Sequence, residues 1–358
     1  MRLLSRQRLT AWSSHVFLVG VLGFTATALW AADFHDGFES VHKSPPRGLF
    51  HSAGPTRSGA PAALESPASQ SALVNGTLVR VAWSELHPAP GQFDFSLLER
   101  EFQQADALDS LISLGVLDGF NAPTWLLDSC VDFEFMFRDE LKRACLPWDP
   151  VYLQHKQALL TALGDRFDAE PRLRQLYFTY AAMTNGIEMH WHVDEAAFAA
   201  AGYTPTVLAQ VYADIFDMHV QAFPTTPISI EVHEVFDSPA LAQAAYAHCS
   251  ARLAEHCGVA IWWCAQRMTR PPDGESSVWP IAQQAALSSF LTCQTIGNFS
   301  TQPDRFDEGA GWTPIEALRN EMSFMYGSGV THWELWSVDV VNSEFAQDLT
   351  DYAELLGP

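Results

Sequence analysis

Eight short apolar runs recur between residues 47 and 338, with longer segments of helical period between them. That alternation constrains the fold more than any other property of the chain. The runs are Arg47–Pro55, Leu78–Ser84, Leu111–Phe120, Gln175–Ala182, Pro227–Phe236, Gly258–Gln266, Phe290–Asn298 and Gly329–Val338. Most are rich in Val, Ile, Leu and aromatics, the composition of strands buried on both faces. Phe95–Ala107, Val151–Phe167, Thr206–Phe223, Ser238–His256, Pro280–Ser289 and Thr313–Tyr326 carry the period of helices. Strands alternating with helices predict a parallel α/β architecture. A count of eight predicts a (β/α)8 TIM barrel in a single domain. No G-x-G-x-x-G follows the first run, which speaks against a dinucleotide-binding sheet.

The barrel is expected over residues 47–358, behind a polar, flexible lead-in at 33–46. Residues 1–32 read as a signal peptide: Arg2, Arg6 and Arg8 precede an apolar run from Val16 to Trp30, and small residues follow at Ala31 and Ala32. The run is interrupted by Gly20 and Gly23 and is short for a membrane anchor. Secretion or export to a periplasm is the expectation, with no membrane partner after cleavage. Loss of the three Arg and of no acid takes the formal charge from −22 to −25. So acidic a chain repels phosphate backbones and anionic lipid, which speaks against nucleic acid and membrane partners and leaves neutral sugars or cationic ligands allowed. Six Cys in an exported chain imply disulfides. Cys130 with Cys145 and Cys249 with Cys257 would close short loops, whereas Cys264 and Cys293 read equally as buried thiols or as a third pair.

In a barrel, chemistry gathers where the strands end. The second run leads into Arg80-Val-Ala-Trp83-Ser-Glu85-Leu-His87-Pro-Ala-Pro-Gly91-Gln-Phe-Asp94-Phe, and the third into Asn121-Ala-Pro123-Thr-Trp125-Leu. The fourth ends in Asn185-Gly-Ile-Glu188-Met-His190-Trp-His192. From Trp83 onward the chain resembles the W-S-x-L-E-P-x-x-G-x-(F/Y)-D-F stretch of family 42 and related retaining barrel glycosidases, with His87 in place of the Glu. The Asn121–Leu126 segment is similar to their x-x-P-x-W-L. In that clan the fourth strand ends in Asn followed directly by the acid/base Glu; here Gly186 and Ile187 intervene.

The resemblance implies that Glu188 is the general acid of a glycoside hydrolase, with Asn185, Arg80, Trp83 and Trp125 around the sugar. A carboxylic acid in a walled pocket has its charged form disfavoured, which suits it to proton donation. The clan's nucleophile position at the seventh strand holds Gln294 and no Glu. His332, Glu334 and Trp336 alternate onto one face of the eighth run, and a charged face belongs in the barrel mouth. Glu334 is therefore the expected second carboxylate and Glu231 the next candidate, with Gln294, His233 and Trp336 as further sugar contacts. Trp262 and Trp333 are expected to pack between strands and helices. No cofactor and no metal is expected. A catalytically silent glycan-binding barrel is the alternative, and the pairs His190-x-His192 and Glu231-x-His233 leave a metal-dependent hydrolase as a third reading.

Overall fold

The alternation closes on itself in the computed structural model, which describes residues 42–270, 276–307 and 309–357. The expected signal peptide and residues 33–41 of the lead-in lie outside the described residues. Eight parallel strands form a closed barrel: β1 Gly48–Ser52, β2 Gly76–Ala82, β3 Leu111–Leu117, β4 Leu173–Tyr177, β5 Ile228–Glu231, β6 Cys257–Cys264, β7 Phe290–Thr295 and β8 His332–Trp336. Closure is made by β1 against β8, in register from Gly48 opposite His332 to Ser52 opposite Trp336. The fold is a (β/α)8 TIM barrel.

Seven helices of ten or more residues cover its outside among the described residues: α1 Ser96–Leu108, α2 Pro150–Phe167, α3 Pro205–Ala222, α4 Ala240–Leu253, α5 Trp279–Ser288, α6 Pro314–Gly327 and α7 Ala346–Leu356. Three of them begin where local chemistry requires it. Asp149 accepts from the amides of Val151 and Tyr152, and Thr204 from Val207. Glu316 accepts from the Thr313 amide at 2.8 Å. Each cap is followed by Pro at the first helical position, where a missing N–H costs nothing. Among the described residues no helix is long and apolar enough to cross a membrane.

Strand side chains divide by parity. Leu49, Val79, Val81, Ile112, Leu114, Ile230, Val259, Ile261, Leu291, Trp333 and Leu335 belong to the main core, which fills the layer between strands and helices. The lumen is mostly polar in its lower part. Gln175 donates to Ser229 Oγ at 2.8 Å and accepts from Thr292 Oγ1 at 3.1 Å, with His332 Nδ1 at 3.0 Å. Burial pushes the His332 imidazole down to about 3, so it is neutral.

Two features depart from the sequence pattern, and one expectation left open is resolved. After β1 there is a short 3₁₀ turn, Ala63–Glu65, instead of a long helix. It is pinned by Glu101 of α1, a fully buried carboxylate that accepts from Ala63 N (2.7 Å), Leu64 N (3.2 Å) and Thr56 Oγ1 (2.8 Å). Between β3 and α2 an antiparallel hairpin, Asp132–Phe137 with Glu140–Cys145, was not anticipated. Disulfides join Cys130 to Cys145, Cys249 to Cys257 and Cys264 to Cys293, which resolves the third pair in favour of a bond.

Glu101→Ala strands three donors at once around a buried carboxylate position. Chemical denaturation should show a loss of about 2–4 kcal/mol in unfolding free energy. An unchanged midpoint would mean that the turn after β1 holds itself.

Candidate active site at the mouth of the barrel

The chain that leaves β4 is placed by the turn that leaves β3. Asp118 is fully buried and accepts from Gly119 N at 2.7 Å, Tyr152 OH at 3.0 Å and Lys156 Nζ at 2.7 Å. Lys156, equally buried, also donates to Thr179 Oγ1 at 2.9 Å, just past β4. One ion pair thus ties α2 and the ends of two strands together. Gly186 closes against this corner with φ +85°, and a Cβ there would stand 2.3 Å from the Asp118 amide nitrogen. Only glycine combines that backbone angle with so close an approach.

Gly186 and Ile187, the two residues that part Asn185 from Glu188, form a turn. Asn185 Oδ1 accepts from the amides of Ile187 (3.0 Å) and Glu188 (3.1 Å), while its Nδ2 donates to Glu188 Oε2 at 2.6 Å. Asn185 therefore orients the carboxyl of Glu188 directly. Burial and the neighbouring carboxylate of Glu231 push the Glu188 carboxyl above the usual range, against the opposing charges of His233 and Arg138.

Glu188 shares one cavity of ≈ 420 Å³ with Arg80, Asn185, Trp263, Gln294 and Trp336, and with Arg138, Trp262 and Arg305, which were not anticipated there. Arg80 donates from Nε to Ala53 O at 3.0 Å, and its guanidinium carbon lies 5.5 Å from the Trp262 ring and 5.9 Å from that of Trp336. Trp262 lining the cavity corrects the expectation that it packs between strand and helix. β6 is irregular between Ile261 and Cys264, so strict alternation fails there and both Trp262 and Trp263 reach the mouth. Trp333 does pack outward, against Tyr352 and Phe299.

Beneath the cavity Glu334 is fully buried. Tyr177 OH donates to its Oε1 at 2.8 Å and Gln294 Nε2 to its Oε2 at 3.1 Å; the same amide reaches Ser52 Oγ at 3.1 Å. Burial pushes this carboxyl up to about 7, although these donors and Arg80 favour its ionised form.

On the other side of Glu188, Glu231 Oε2 accepts from Met189 N at 2.8 Å, and its Oε1 lies 2.6 Å from His233 Nδ1. Glu188, His190 and His233 present donor atoms within 4.8 Å of one another, a set able to hold a divalent ion. A second cavity of ≈ 560 Å³ continues from here past Trp191 and shares Trp263 with the first.

Trp83 and Trp125 are placed elsewhere. Trp83 is fully buried, with its indole on His87 Nδ1 at 3.2 Å, and Trp125 donates to His87 O at 3.0 Å. The residue that departs from the glycosidase motif, His87, thus organises a packed cluster that includes both. Of the residues the sequence reading missed, Arg138 and Arg305 sit in segments whose position depends on pairing with distant chain.

Protein-family models and curated protein sequences give no match to this chain. Among solved structures, the barrel is similar to the catalytic domain of a beta-amylase from Paenibacillus polymyxa, at 10% identity and TM-score 0.56 over 88% of this chain and 100% of that one. It is also similar to a beta-galactosidase from Rahnella sp. R3, at 10% identity and TM-score 0.51 over 88% and 56%. An exo-beta-1,4-mannosidase from Opitutaceae bacterium strain TAV5 matches at 13% identity and TM-score 0.50 over 89% and 61%. At such identities the likeness is one of fold.

Glu334 should leave a mark on stability. Its raised affinity means that the folded protein keeps a proton which the unfolded chain releases between about pH 4.5 and about 7. Stability contributed by the protonated form is complete below that window and is lost as pH rises through it. In Glu334→Gln, the fall in unfolding free energy from about pH 5 to about pH 8 should shrink by about 3 kcal/mol. Identical pH dependence in the two proteins would contradict this.

Proposed function

We propose that this chain is a glycoside hydrolase in which Glu188 protonates the leaving oxygen. The observation that supports it most is the position of Glu188: a half-buried carboxyl, oriented by Asn185, in a tryptophan-walled cavity among the loops that follow the strands. Sugar rings stack on such walls without requiring the rings to move. Arg80, Gln294 and Trp336 supply further contacts from neighbouring strands. Glu334 is the second carboxylate of this proposal; lying beneath the cavity and outside its lining, it would favour positive charge at the anomeric carbon from below. Tyr177, Gln294 and Arg80 stand ready to support its charge. Glu231 and His233 act through Glu188, the first by anchoring the Met189 amide and the second through its charge. Kinship with family 42 rests on the motifs from Trp83 to Asp94 and from Asn121 to Leu126.

Export belongs to the same proposal, with a signal peptide over 1–32 ahead of the barrel at 47–358. Three disulfides support it, because such bonds persist in oxidising compartments.

Glu188→Gln should lower kcat/KM about 10³-fold on a glycoside with a poor leaving group. With a strongly acidic phenol as leaving group, which departs unprotonated, the loss should stay within about tenfold. Equal losses on both substrates would sink the acid role. Saccharides that bind to wild type and are never cleaved would favour the glycan-binding alternative.

The cluster of Glu188, His190 and His233 favours one second reading, a metal-dependent hydrolase. Activity unchanged after EDTA treatment and dialysis is the expected result. Activity lost and restored by Zn²⁺ would put the metal reading first.

A further inference from the structure

The cavity has the opposite electrical sign to the protein around it. The chain carries 42 acidic residues against 20 basic ones. Yet three arginines, Arg80, Arg138 and Arg305, line the cavity with a single carboxylate, Glu188. Arg80 is engaged, donating to Ala53 O and lying between two indole rings. Arg138 and Arg305 are different. Neither forms an ion pair among the described residues, a state they share with Arg47, Arg57, Arg100, Arg174, Arg267 and Arg270, but these two both open onto the cavity that holds Glu188. Their convergence on one cavity, in a chain with twice as many acids as bases, calls for a reason.

Their placement is built rather than accidental. Arg138 is at the tip of the hairpin, where it and Asp139 take positive φ (51° and 64°), and the Cys130–Cys145 bond ties the base of that hairpin. Arg305 ends the turn Pro303–Arg305 in the loop after β7. Its stem passes so close to Gly297 that a Cβ there would stand 2.9 Å from Arg305 Cδ. Trp262, Trp263 and Trp336 wall the same space and lower its dielectric, which strengthens any charge pairing inside it. A guanidinium presents a planar fork of donors that matches a carboxylate or sulfate.

We infer that the cavity takes an anionic saccharide, one bearing a carboxylate or a sulfate ester, with Arg138 and Arg305 receiving the oxyanion beside Glu188. The choice of a sugar rests on the glycosidase reading; the choice of an anion rests on the arginines. Net charge speaks against an anionic ligand because it averages over a surface the ligand does not touch.

The test is calorimetric titration of the full chain with sets of oligosaccharides that differ only in the group on C6: carboxylate, sulfate ester or hydroxyl. A charged form should bind at least about tenfold more tightly than its neutral counterpart. Arg138→Gln and Arg305→Gln should each remove much of that preference, while Arg252→Gln on α4 leaves it intact. Preference for the carboxylate alone identifies a uronate, and preference for the sulfate alone a sulfated sugar. Equal or tighter binding of the neutral form overturns the inference, as does a preference that survives both cavity substitutions or a failure of every charged form to bind. If a charged form binds and wild type never cleaves it, the inference stands and the hydrolase reading falls.

Discussion

A carboxyl buried in the lumen of a barrel must find its partners on the other strands, and Glu334 is that group here. Tyr177 comes from β4 and Gln294 from β7, so three of the eight strands meet at one side chain, and Arg80 on β2 acts on it through its charge. Each partner is satisfied only when barrel closure brings it there, and an unpaired member of such a set costs several kcal/mol. The arrangement therefore favours one register of closure. It also explains the polar layer below it, where Gln175, Ser229, Thr292 and His332 bond to one another without solvent.

Above that layer, position is passed upward by close contact. The Asp118–Lys156 pair fixes the ends of β3 and β4, Gly186 packs on Asp118, Asn185 folds the next turn, and Glu188 is held by Asn185. Little in this sequence of contacts is free to move, which is what a proton donor needs. The hairpin after β3 and the loop after β7 contribute the exposed side of the cavity. They bring cations, where the barrel itself brings carboxylates and aromatic rings. Function thus divides between a rigid floor and loops that set what it recognises.

Helix starts were legible because their chemistry is local. Asp149-Pro150, Thr204-Pro205 and Thr313-Pro314 each announce a cap and a first turn within two residues. Strand parity in β8 was legible for the same reason, placing His332 and Glu334 on one face. The hairpin was not. Its turn is Arg138-Asp139, with positive φ at both positions and neither Gly nor Asn to signal it, and its second strand reads Glu-Leu-Lys-Arg-Ala-Cys. The irregularity in β6 was equally silent, so Trp262 was assigned to the wrong face. α7 was missed because no cap precedes it; its side chains bury against β1 and β8 only after closure.

By itself the sequence determined the eightfold alternation, the parity of most strands, six of the helical segments, two of the three cystine pairs and Glu188 as the residue to examine. These follow from periods of two and 3.6 and from neighbours a few positions apart, which any stretch of chain expresses alone. Only the tertiary structure decided that Trp83 and Trp125 pack away from the cavity, that Glu334 is roofed over, and that Arg138 and Arg305 share a cavity with Glu188. Those outcomes depend on strand register and on loops meeting across the mouth. The meeting of Tyr177 with Glu334 spans 157 positions and that of Trp125 with His87 spans 38, separations that no local pattern encodes.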